Sequence, residues 1–444
     1  MANGLIIAAP ASGSGKTVFT LGLLRALARR GVALASAKVG PDYIDPAFHA
    51  AASGKACLNL DGWGMRPATI AALAAELGRA DLVVCEGVMG LFDGADLPPG
   101  QPCGSTADMA ALTGWPVVLL VDVRGQAASA AALVGGFLTH RADVPVAGVV
   151  FNRVNSPTHR AMITRAMGAA FPDLPLLGWL PQDRAMTLPE RHLGLIQARE
   201  HNDLDARLDA AAAVVAAHVD LAAFSALARP CRLSAAGAAV PLPPLGQRIA
   251  VAEDDAFAFA YPALLQGWRR AGAEVRKFSP LADQPPPADA DFIYLPGGYP
   301  ELHAGRLAAA AAFMAGLRRA AANGVPVFGE CGGYMTLGRG LVDAEGRRHA
   351  MAGLLPVSTS FAQRRLHLGY RQARLAAATP LGALGDGFRG HEFHYATSLE
   401  EGDGGPPLFH LADASGRPLP PAGQVRGAVM GSFLHLLDRK DPPL

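Results

Sequence analysis

The chain has 444 residues, 50% of them hydrophobic, and a formal net charge of +1 at neutral pH. This balance gives no indication of a nucleic-acid partner or an anionic membrane surface. No apolar run reaches the roughly 18–20 residues of a membrane span, and the N-terminus lacks the basic start of a signal peptide. The length predicts two domains of ordinary size, each with its own core.

The sulfur and imidazole side chains give a first indication of compartment and metal content. Five cysteines are widely spaced without a CxxC pair, and thirteen histidines are scattered rather than set at metal-ligand spacing. An odd number of separated cysteines in a long chain is typical of reduced thiols in the cytoplasm. We therefore predict a cytoplasmic protein. The cysteines are Cys57, Cys85, Cys103, Cys231 and Cys331.

The N-terminal stretch has the pattern of a phosphate-binding loop. A short apolar strand, 5–9, is followed by a Gly- and Ser-rich loop, by Lys16-Thr17 and by a helical pattern over 18–30. Loop N–H groups and the helix N-terminus are expected to hold phosphate oxygens, with Lys16 on the outer phosphates and the Thr17 hydroxyl on Mg²⁺. Pro10 stands where the first glycine is usual, so the motif is a variant. The predicted ATP-binding loop residues are Ser12, Gly13, Ser14, Gly15, Lys16 and Thr17.

Charged side chains follow the next two predicted strands. The strand over 32–39 ends near Lys38 and continues to Asp42 and Asp45, and the strand over 81–86 ends in Glu86. Ligands of α/β proteins bind at the carboxyl ends of strands. We therefore predict that Lys38, Asp42 and Asp45 bind substrate or Mg²⁺. The alternative for the two aspartates is a polar turn around two prolines.

The remaining N-terminal pattern predicts a parallel sheet and then a boundary. Strand-like runs at 117–121, 146–151, 176–180 and 193–197 alternate with helical patterns, as in α/β domains. An Ala-rich helical pattern covers 206–228, and 229–246 contains four prolines and two glycines. We therefore predict domains at 1–228 and 247–444, joined by a linker at 229–246.

The C-terminal half centres on Cys331. The apolar run 325–328 predicts a buried strand, and Gly329, Gly332 and Gly333 allow a sharp turn around the cysteine. This pattern predicts a nucleophile elbow with an exposed sulfur, close to a helix N-terminus that favours the thiolate. The alternative is a small buried core cysteine.

A base for this thiol is expected from the last strand-like region. His435 follows the apolar run 424–431, about a hundred residues after the cysteine. His391 and Glu392 lie between the two. Their spacing does not match the His-Glu-x-x-His pattern, which argues against zinc.

These motifs resemble known families. Gly-Glu-Cys-Gly-Gly-Tyr with a late histidine resembles the triad-type (class I) glutamine amidotransferases, in which Cys331 would attack glutamine and His435 would move the protons. The resemblance implies that Gly298 or Tyr299, together with Gly332, offers N–H groups to the oxyanion. The family usually has a Glu two residues after the histidine, and Leu437 stands there. The third member is then missing or supplied from elsewhere, with Asp438 as one candidate.

The N-terminal half is similar to the dethiobiotin-synthetase-like branch of P-loop proteins. In that branch the strand-end asparagine reads adenine, which Asn152 would match, and Mg²⁺ would be held through Thr17, Asp42 and Glu86. A capped loop is the alternative for Asn152. The fold class expected for the chain is α/β, with an N-terminal P-loop NTPase-like parallel sheet and a C-terminal class I glutamine amidotransferase-like (flavodoxin-like) sheet.

The whole chain resembles the cobyrinic and hydrogenobyrinic acid a,c-diamide synthases of cobalamin biosynthesis. The segment Lys38-Val-Gly-Pro-Asp-Tyr-Ile-Asp-Pro46 and the loop before Thr17 carry this resemblance. It implies ATP- and glutamine-dependent amidation of the a and c acetates of the tetrapyrrole, through acyl phosphates. The sequence leans toward the metal-free substrate, because its Ala- and Arg-rich composition is compatible with an aerobic, high-GC bacterium.

Three alternatives stay open from sequence. The nickel-sirohydrochlorin a,c-diamide synthases have much the same motifs. A ParA/MinD-like ATPase switch with an inactive glutaminase domain is a second, and a glutamine hydrolase acting alone is a third. A homodimer is compatible with the sequence, which does not decide the oligomeric state.

Overall fold

The computed structural model describes residues 2–191, 194–195, 197–234, 239–401 and 406–440, with the side chains of 190–191, 194–195 and 400–401 left out. The chain divides into two compact units. The N-terminal unit comprises Met1–Trp63, Pro67–Ala95 and Gly100–Ala239, and the C-terminal unit comprises Gly64–Arg66, Asp96–Pro99 and Val240–Leu444. The predicted boundaries at 228 and 247 stay predictions.

The N-terminal unit alternates strands with helices. Its strands are β1 Asn3–Ala8, β2 Leu34–Val39, β3 Cys57–Leu60, β4 Leu82–Glu86, β5 Val117–Asp122, β6 Val146–Val154, β7 Leu176–Pro181, β8 Glu190–Arg191, β9 Gly194–Leu195 and β10 Arg229–Pro230. Its helices are α1 Lys16–Arg29, α2 Asp45–Ser53, α3 Pro67–Leu77, α4 Thr106–Thr113, α5 Ser129–Thr139, α6 Pro157–Ala170, α7 Leu204–His218 and α8 Leu221–Ala226. Short 3₁₀ turns lie at Arg184–Met186 and Ala198–Glu200.

The main sheet of this unit has the order β3-β2-β4-β1-β5-β6-β7, with every neighbouring pair parallel. Strands β1 and β4 are almost fully buried, as is typical of central strands in a parallel sheet. Strand β1 lies between β4 and β5. The carboxyl ends of β1, β2 and β4 therefore meet at one edge, where Lys16, Lys38 and Glu86 are found. The expected P-loop NTPase-like parallel sheet is confirmed.

Two local predictions in this unit differ from the structure, and one strand was not predicted. Residues 194–195 form β9, which pairs with β8 in an antiparallel hairpin and not with the parallel sheet; residues 193 and 196 lie outside the described ranges. The helical pattern over 206–228 is broken, because Asp220 caps a new helix by accepting hydrogen bonds from the N–H groups of Ala222 and Ala223. Strand β10, inside the predicted linker, pairs antiparallel with β1.

The C-terminal unit has more strands and fewer helices. Its strands are β11 Arg248–Ala252, β12 Glu274–Phe278, β13 Phe292–Leu295, β14 Val327–Glu330, β15 Gly340–Val342, β16 Arg348–Ala350, β17 Val357–Ser360, β18 His367–Leu375, β19 Gly387–His394, β20 Thr397–Glu401, β21 Phe409–Asp413, β22 Pro418–Ala422, β23 Gln424–Arg426, β24 Val429–Ser432 and β25 His435–Arg439. Its helices are α9 Pro262–Arg270, α10 Ala304–Ala309, α11 Ala311–Ala322 and α12 Gly332–Leu337, with 3₁₀ turns at Pro280–Ala282 and Pro300–His303.

The central sheet of this unit has the order β12-β11-β13-β14-β24-β23. The first five strands are parallel, in the 2-1-3-4-5 order of flavodoxin-like folds, so the expected sheet type is confirmed. Two further sheets, β16-β15-β17-β20 and β22-β21-β18-β19-β25, complete the unit. The predicted strand over 424–431 is instead an antiparallel hairpin of β23 and β24, which turns at Gly427 with φ 58°.

Within the described residues, no helix combines the length and the apolar character needed to cross a membrane.

Candidate active sites

The predicted phosphate-binding loop lies between β1 and α1 and opens into a cavity of about 410 Å³. Gly15 has φ 93° and is the N-cap of α1, a left-handed conformation that a side chain would strain. The cavity is lined by Ser12, Gly13, Gly15, Lys16, Thr17, Lys38, Asp42, Asp45, Glu86 and Arg153, among others. The structure thus brings most of the predicted ATP and substrate residues to one cavity.

Two of the residues predicted to bind ATP, Ser14 and Asn152, are not among those that line the cavity. The Ser14 hydroxyl donates to the carbonyl of Ala11 at 2.7 Å, inside the loop itself. The Asn152 amide donates to the carbonyl of Ser14 at 2.8 Å, and Asn152 is only 3% exposed. Asn152 therefore braces the loop from β6. Its reading of adenine stays a prediction.

The predicted charged residues meet in one buried cluster. The Lys38 ammonium lies 2.6 Å from Asp45 Oδ2 and 2.8 Å from Glu86 Oε1. The Thr17 hydroxyl donates to Glu86 Oε1 at 2.7 Å. The strand ends of β2 and β4 therefore bring a loop hydroxyl, a cation and two carboxylates together. This is the environment expected for a phosphoryl-transfer site.

Burial and charge oppose each other in this cluster. Burial lowers the pKa of Lys38, but the carboxylates of Asp45 and Glu86 outweigh it and hold the pKa well above its usual value. Burial, with Asp42 beside it, raises the pKa of Asp45 to about 7. Burial lowers the pKa of Lys16 to about 8. Lys38 is therefore the fixed cation of the cluster.

Asp42 makes side-chain hydrogen bonds of the kind expected for a polar turn, the alternative that the sequence left open. Its Oδ1 accepts hydrogen bonds from the N–H groups of Ile44 at 2.8 Å and Asp45 at 3.0 Å, which fixes the turn that leads into α2. Asp45 Oδ2, in contrast, lies 3.4 Å from the Thr17 hydroxyl. The oxygens nearest to Thr17 thus come from Glu86 and Asp45, and the predicted Mg²⁺ role of Asp42 stays a prediction.

These oxygens fit Mg²⁺ in chemistry. Mg²⁺ prefers hard oxygen ligands and is usually bound by one or two carboxylates together with substrate phosphates and water. Thr17, Glu86 and Asp45 offer a hydroxyl and two carboxylates beside the phosphate loop. Among the described residues, no group of three or more His, Cys, Asp or Glu side chains is arranged to bind a metal alone. Nucleotide phosphates would complete such a site.

Two residues near this cavity were missed by the sequence reasoning. His49 Nε2 contacts Glu86 Oε2 at 2.7 Å, and burial of the ring is outweighed by Cys57 and Glu86, which raise its pKa to about 10. Arg153 donates to the Gly13 carbonyl at 3.0 Å and pairs with Asp122. A signal for His49 existed, because it follows Asp45 by four residues and shares its helix face.

The second site lies at the end of β14 in the C-terminal unit. Cys331 has φ 46° and ψ −102°, an uncommon conformation for a side-chain-bearing residue, and leads directly into α12. Its N–H donates to the carbonyl of Ser432 at 2.8 Å, which ties the turn to β24. The strained strand-to-helix turn matches the predicted nucleophile elbow.

Cys331 and His435 converge on Gly297. A Cβ built on Gly297 would lie 3.2 Å from His435 Nε2 and 3.4 Å from Cys331 Cβ. Only a residue without a side chain leaves room for the imidazole beside the thiol-bearing carbon. The structure therefore brings together the two residues predicted to be catalytic.

The predicted oxyanion donors lie beside the same turn. A Cβ built on Gly332 would lie 3.1 Å from the Gly298 nitrogen, so these two backbone segments are adjacent. Tyr299, at 3% exposed, packs edge-on against Phe259 with ring centroids 5.0 Å apart. The N–H of Gly332 also donates to the Cys331 sulfur and acts to lower its pKa.

The prediction of an exposed, thiolate-favouring cysteine is wrong. Cys331 is 3% exposed. Burial raises the pKa of its thiol well above the usual value, and Glu301 adds to this more than the Gly332 N–H opposes it. A thiol in this environment is activated by a base during attack rather than standing ready as an anion.

A carboxylate other than the sequence candidate Asp438 lies beside His435. Asp438 is fully buried, and its Oδ1 lies 2.9 Å from Arg66, a residue of the C-terminal unit. Glu330, directly before the cysteine, lies 4.0 Å from His435 Nδ1. The His391 ring stacks on the His435 ring, with the two ring centroids 5.0 Å apart.

Comparisons with known proteins agree with this division. Residues 5–196 match the CobQ/CobB/MinD/ParA nucleotide binding domain, and residues 248–442 match the CobB/CobQ-like glutamine amidotransferase domain. A solved structure of PurLQS from Thermotoga maritima covers 43% of this chain and 87% of its own, with 19% identity and a TM-score of 0.32. That likeness is too low to support a conclusion.

Full-length relatives are much closer. The hydrogenobyrinate a,c-diamide synthase of Rhodobacter capsulatus is 56% identical and covers 98% of both chains. The protein of the same name from Brucella anthropi is 55% identical, again over 98% of both chains. With both domains matched and identity at this level, the chain belongs to the family of hydrogenobyrinate a,c-diamide synthases.

Proposed function

We propose that this protein converts the a and c acetate carboxylates of hydrogenobyrinic acid to amides, using ATP and glutamine. The full-length match to synthases named for hydrogenobyrinate carries the proposal, because it includes both halves of the chain. An ATPase switch or a lone glutamine hydrolase needs only one of the two sites. The name of the relatives also favours the metal-free corrin over cobyrinic acid and over nickel-sirohydrochlorin.

The N-terminal site supplies an activated carboxyl group. A carboxylate is a poor acyl donor, and transfer of the γ-phosphoryl group of ATP to its oxygen gives an acyl phosphate with ADP as the product. The loop N–H groups and Lys16 would bind the phosphates, and the buried Lys38 would offset negative charge near the acetate. Ammonia then attacks the acyl carbon, the amide bond forms, and phosphate leaves.

Mg²⁺ is proposed as the metal of this reaction. Thr17, Glu86 and Asp45 would hold it, and bound Mg²⁺ would neutralise charge on the nucleotide phosphates. The Lys38 ammonium contacts the same two carboxylates. When the metal binds, the ammonium would therefore either contact these oxygens together with the metal or move away from them.

The C-terminal site supplies the nitrogen. Cys331 would attack the side-chain amide carbon of glutamine while His435 takes the thiol proton, and the same proton would then go to the departing ammonia. N–H groups of Gly298, Tyr299 and Gly332 are the proposed oxyanion donors. Water would hydrolyse the thioester, releasing glutamate and the free thiol.

The substrate is tested by direct assay. The protein is incubated with ATP, Mg²⁺ and amide-labelled heavy-nitrogen glutamine, together with hydrogenobyrinic acid, cobyrinic acid or nickel-sirohydrochlorin. Mass spectrometry is expected to detect two labelled amides on hydrogenobyrinic acid and a slower reaction with the others. Preference for either of the other tetrapyrroles contradicts the proposed substrate.

The division of labour is tested by Cys331→Ala. We expect this variant to lose glutamine-dependent amidation by at least about 10³-fold, because the nucleophile is gone. Amidation with a high concentration of ammonium is expected to stay within about twofold of the unmodified protein. If ammonium does not support the variant, the assignment of nitrogen release to Cys331 is wrong.

The cytoplasmic location and the homodimer stay predictions. Free thiols at all five cysteines are compatible with the first.

A further inference from the structure

The usual third member of the amidotransferase triad has no counterpart at its usual position. Leu437 stands two residues after His435, is 2% exposed and offers no polar atom to the imidazole. A histidine base generally needs an acidic or carbonyl partner to fix its ring and tautomer. In this chain, a carboxylate partner for the imidazole therefore has to come from another position.

Glu330 is a buried carboxylate held rigidly beside this histidine. It is the last residue of β14 and is 1% exposed. The Tyr294 hydroxyl donates to Oε2 at 2.6 Å, and the N–H of Leu436 donates to Oε1 at 3.0 Å. Both carboxylate oxygens thus have a fixed donor, and one of these donors is the residue next to His435.

The same carboxylate faces the ring nitrogen that is turned away from the cysteine. Glu330 Oε2 lies 4.0 Å from His435 Nδ1. The other ring nitrogen, Nε2, lies close to Gly297, and Cys331 Cβ is close to the same glycine. The ring is further fixed by His391, which stacks on it at an interplanar angle of 16° and contacts the Tyr261 hydroxyl at 2.6 Å. The structure therefore places a nucleophile, a base and a buried carboxylate next to one another.

We propose that Glu330 is the positioning residue of the glutaminase site and takes the place of the missing triad carboxylate. This inference rests on the proposed glutaminase function of Cys331 and His435. The sequence places the carboxylate one residue before the nucleophile rather than two residues after the base. One strand end then supplies both the attacking sulfur and the group that orients its base.

The physical effect follows from charge and direction. A carboxylate at Nδ1 favours the tautomer with its proton on that nitrogen and leaves the Nε2 lone pair free for the thiol proton. It also stabilises the imidazolium formed when Nε2 takes that proton. A separation of 4.0 Å is longer than a hydrogen bond, as is common in sites without substrate.

The ionisation of Glu330 is compatible with this task near neutral pH. Burial raises the pKa of its carboxyl to about 7, and the hydrogen bonds from Tyr294 and Leu436 act in the opposite direction. Substrate turnover that places a positive charge on His435 favours the ionised carboxylate further.

The test compares two nitrogen sources in Glu330→Gln. This variant keeps an oxygen acceptor of similar shape but removes the charge. We expect the ratio of glutamine-dependent to ammonium-dependent amidation to fall about 10- to 100-fold, with the ammonium rate unchanged. The acid limb of kcat/KM for glutamine is expected to move to lower pH, because His435 loses its counter-charge or the titration of Glu330 itself disappears. A purely structural role would move neither quantity.

Matched variants keep the inference falsifiable. Asp438→Asn removes the neighbouring buried carboxylate, and we expect it to leave the ratio within about twofold. If Glu330→Gln fails to fold, Tyr294→Phe removes one donor to Glu330 while keeping the charge, and we expect a fall of about 3- to 10-fold in the ratio. An unchanged ratio in the folded Glu330→Gln, or in Tyr294→Phe, overturns the assignment.

The outcomes also separate this inference from the function on which it rests. If Cys331→Ala loses the glutamine reaction and Glu330→Gln does not, only the positioning role is wrong. If both variants keep the glutamine reaction, the glutaminase site itself is wrong.

Discussion

Lys38 is the residue on which the charge balance of the N-terminal site depends. Its ammonium contacts Asp45 and Glu86, and its side chain is only 5% exposed. Lys38→Met is expected to lower the free energy of unfolding by about 3–5 kcal/mol, since it removes the ammonium between two buried carboxylates and leaves only the His49 ring against Glu86. Urea titration of the full chain, with a probe in the N-terminal unit, measures the change.

Lys277 provides the matched control for this prediction. Its ammonium pairs with Glu253 at 2.7 Å, but its side chain is 50% exposed. Exposed pairs contribute little, so Lys277→Met is expected to change the free energy of unfolding by less than about 1 kcal/mol. Equal losses in the two variants would mean that burial of the Lys38 cluster has no special energetic role.

At the scale of single residues, the sequence predicted those that stand in a motif or at a strand end. Lys16, Lys38 and Glu86 were found this way, because parallel strands bring their carboxyl ends to one edge. His49 and Glu330 were not found. Each acts through a contact across the fold, with Glu86 and with His435. For His49 the spacing of four residues from Asp45 was a usable signal, whereas the contact of Glu330 leaves no local pattern in the chain.

At the scale of elements, Asp42 fixes the turn that leads into α2. Asp42→Ala removes the acceptor for the N–H groups of Ile44 and Asp45 and is expected to cost about 1 kcal/mol of stability, with a loss of activity because Asp45 lies in the first turn. Asp42→Asn keeps an oxygen acceptor but not the charge, and we expect its stability to stay within about 0.5 kcal/mol. Urea titration and amidation assays of both variants distinguish the hydrogen bonds that Asp42 accepts from the effect of its negative charge.

The comparison between these two variants decides what Asp42 does. Full activity in Asp42→Asn would mean that Asp42 acts only as a hydrogen-bond acceptor in the turn before α2. Strong loss of activity with intact stability would support the predicted contact with Mg²⁺ or substrate. Equal destabilisation of both variants would contradict a stabilising role for the hydrogen bonds that the Asp42 oxygen accepts.

Element boundaries were predicted well where apolar periodicity was strong and poorly where a turn was hidden inside it. The strands β1, β2, β4 and β5 lie within a few residues of their predicted positions. The predicted helix over 206–228 breaks at Asp220, whose capping side chain was a usable signal. The single strand expected over 424–431 is a hairpin, because Gly427 permits the left-handed turn.

At the scale of the whole molecule, each unit contains the groups proposed for one half-reaction. The phosphate loop and its carboxylates belong to the N-terminal unit, and Cys331, His435 and Glu330 belong to the C-terminal unit. Both folds were predictable, because glycine-rich turns directly after buried strands identify them in the sequence. The thiol environment was not, because the pKa of Cys331 is raised by burial and by Glu301 from another segment, and to a smaller extent by the neighbouring Glu330.

This arrangement predicts that replacing glutamine by ammonium as the nitrogen source does not restore activity after a defect in the N-terminal unit. Lys16→Met is expected to lower amidation by at least about 10²-fold with glutamine and equally with ammonium, because the acyl phosphate no longer forms. Lys55→Met, at an exposed lysine near the end of α2, is the control and should retain full activity. The pattern is the reverse of that for Cys331→Ala, in which only the glutamine reaction fails. If Lys16→Met keeps the ammonium reaction within about tenfold of the unmodified protein, the phosphate loop is not where the carboxylate is activated, and the two half-reactions are not divided between the units as proposed.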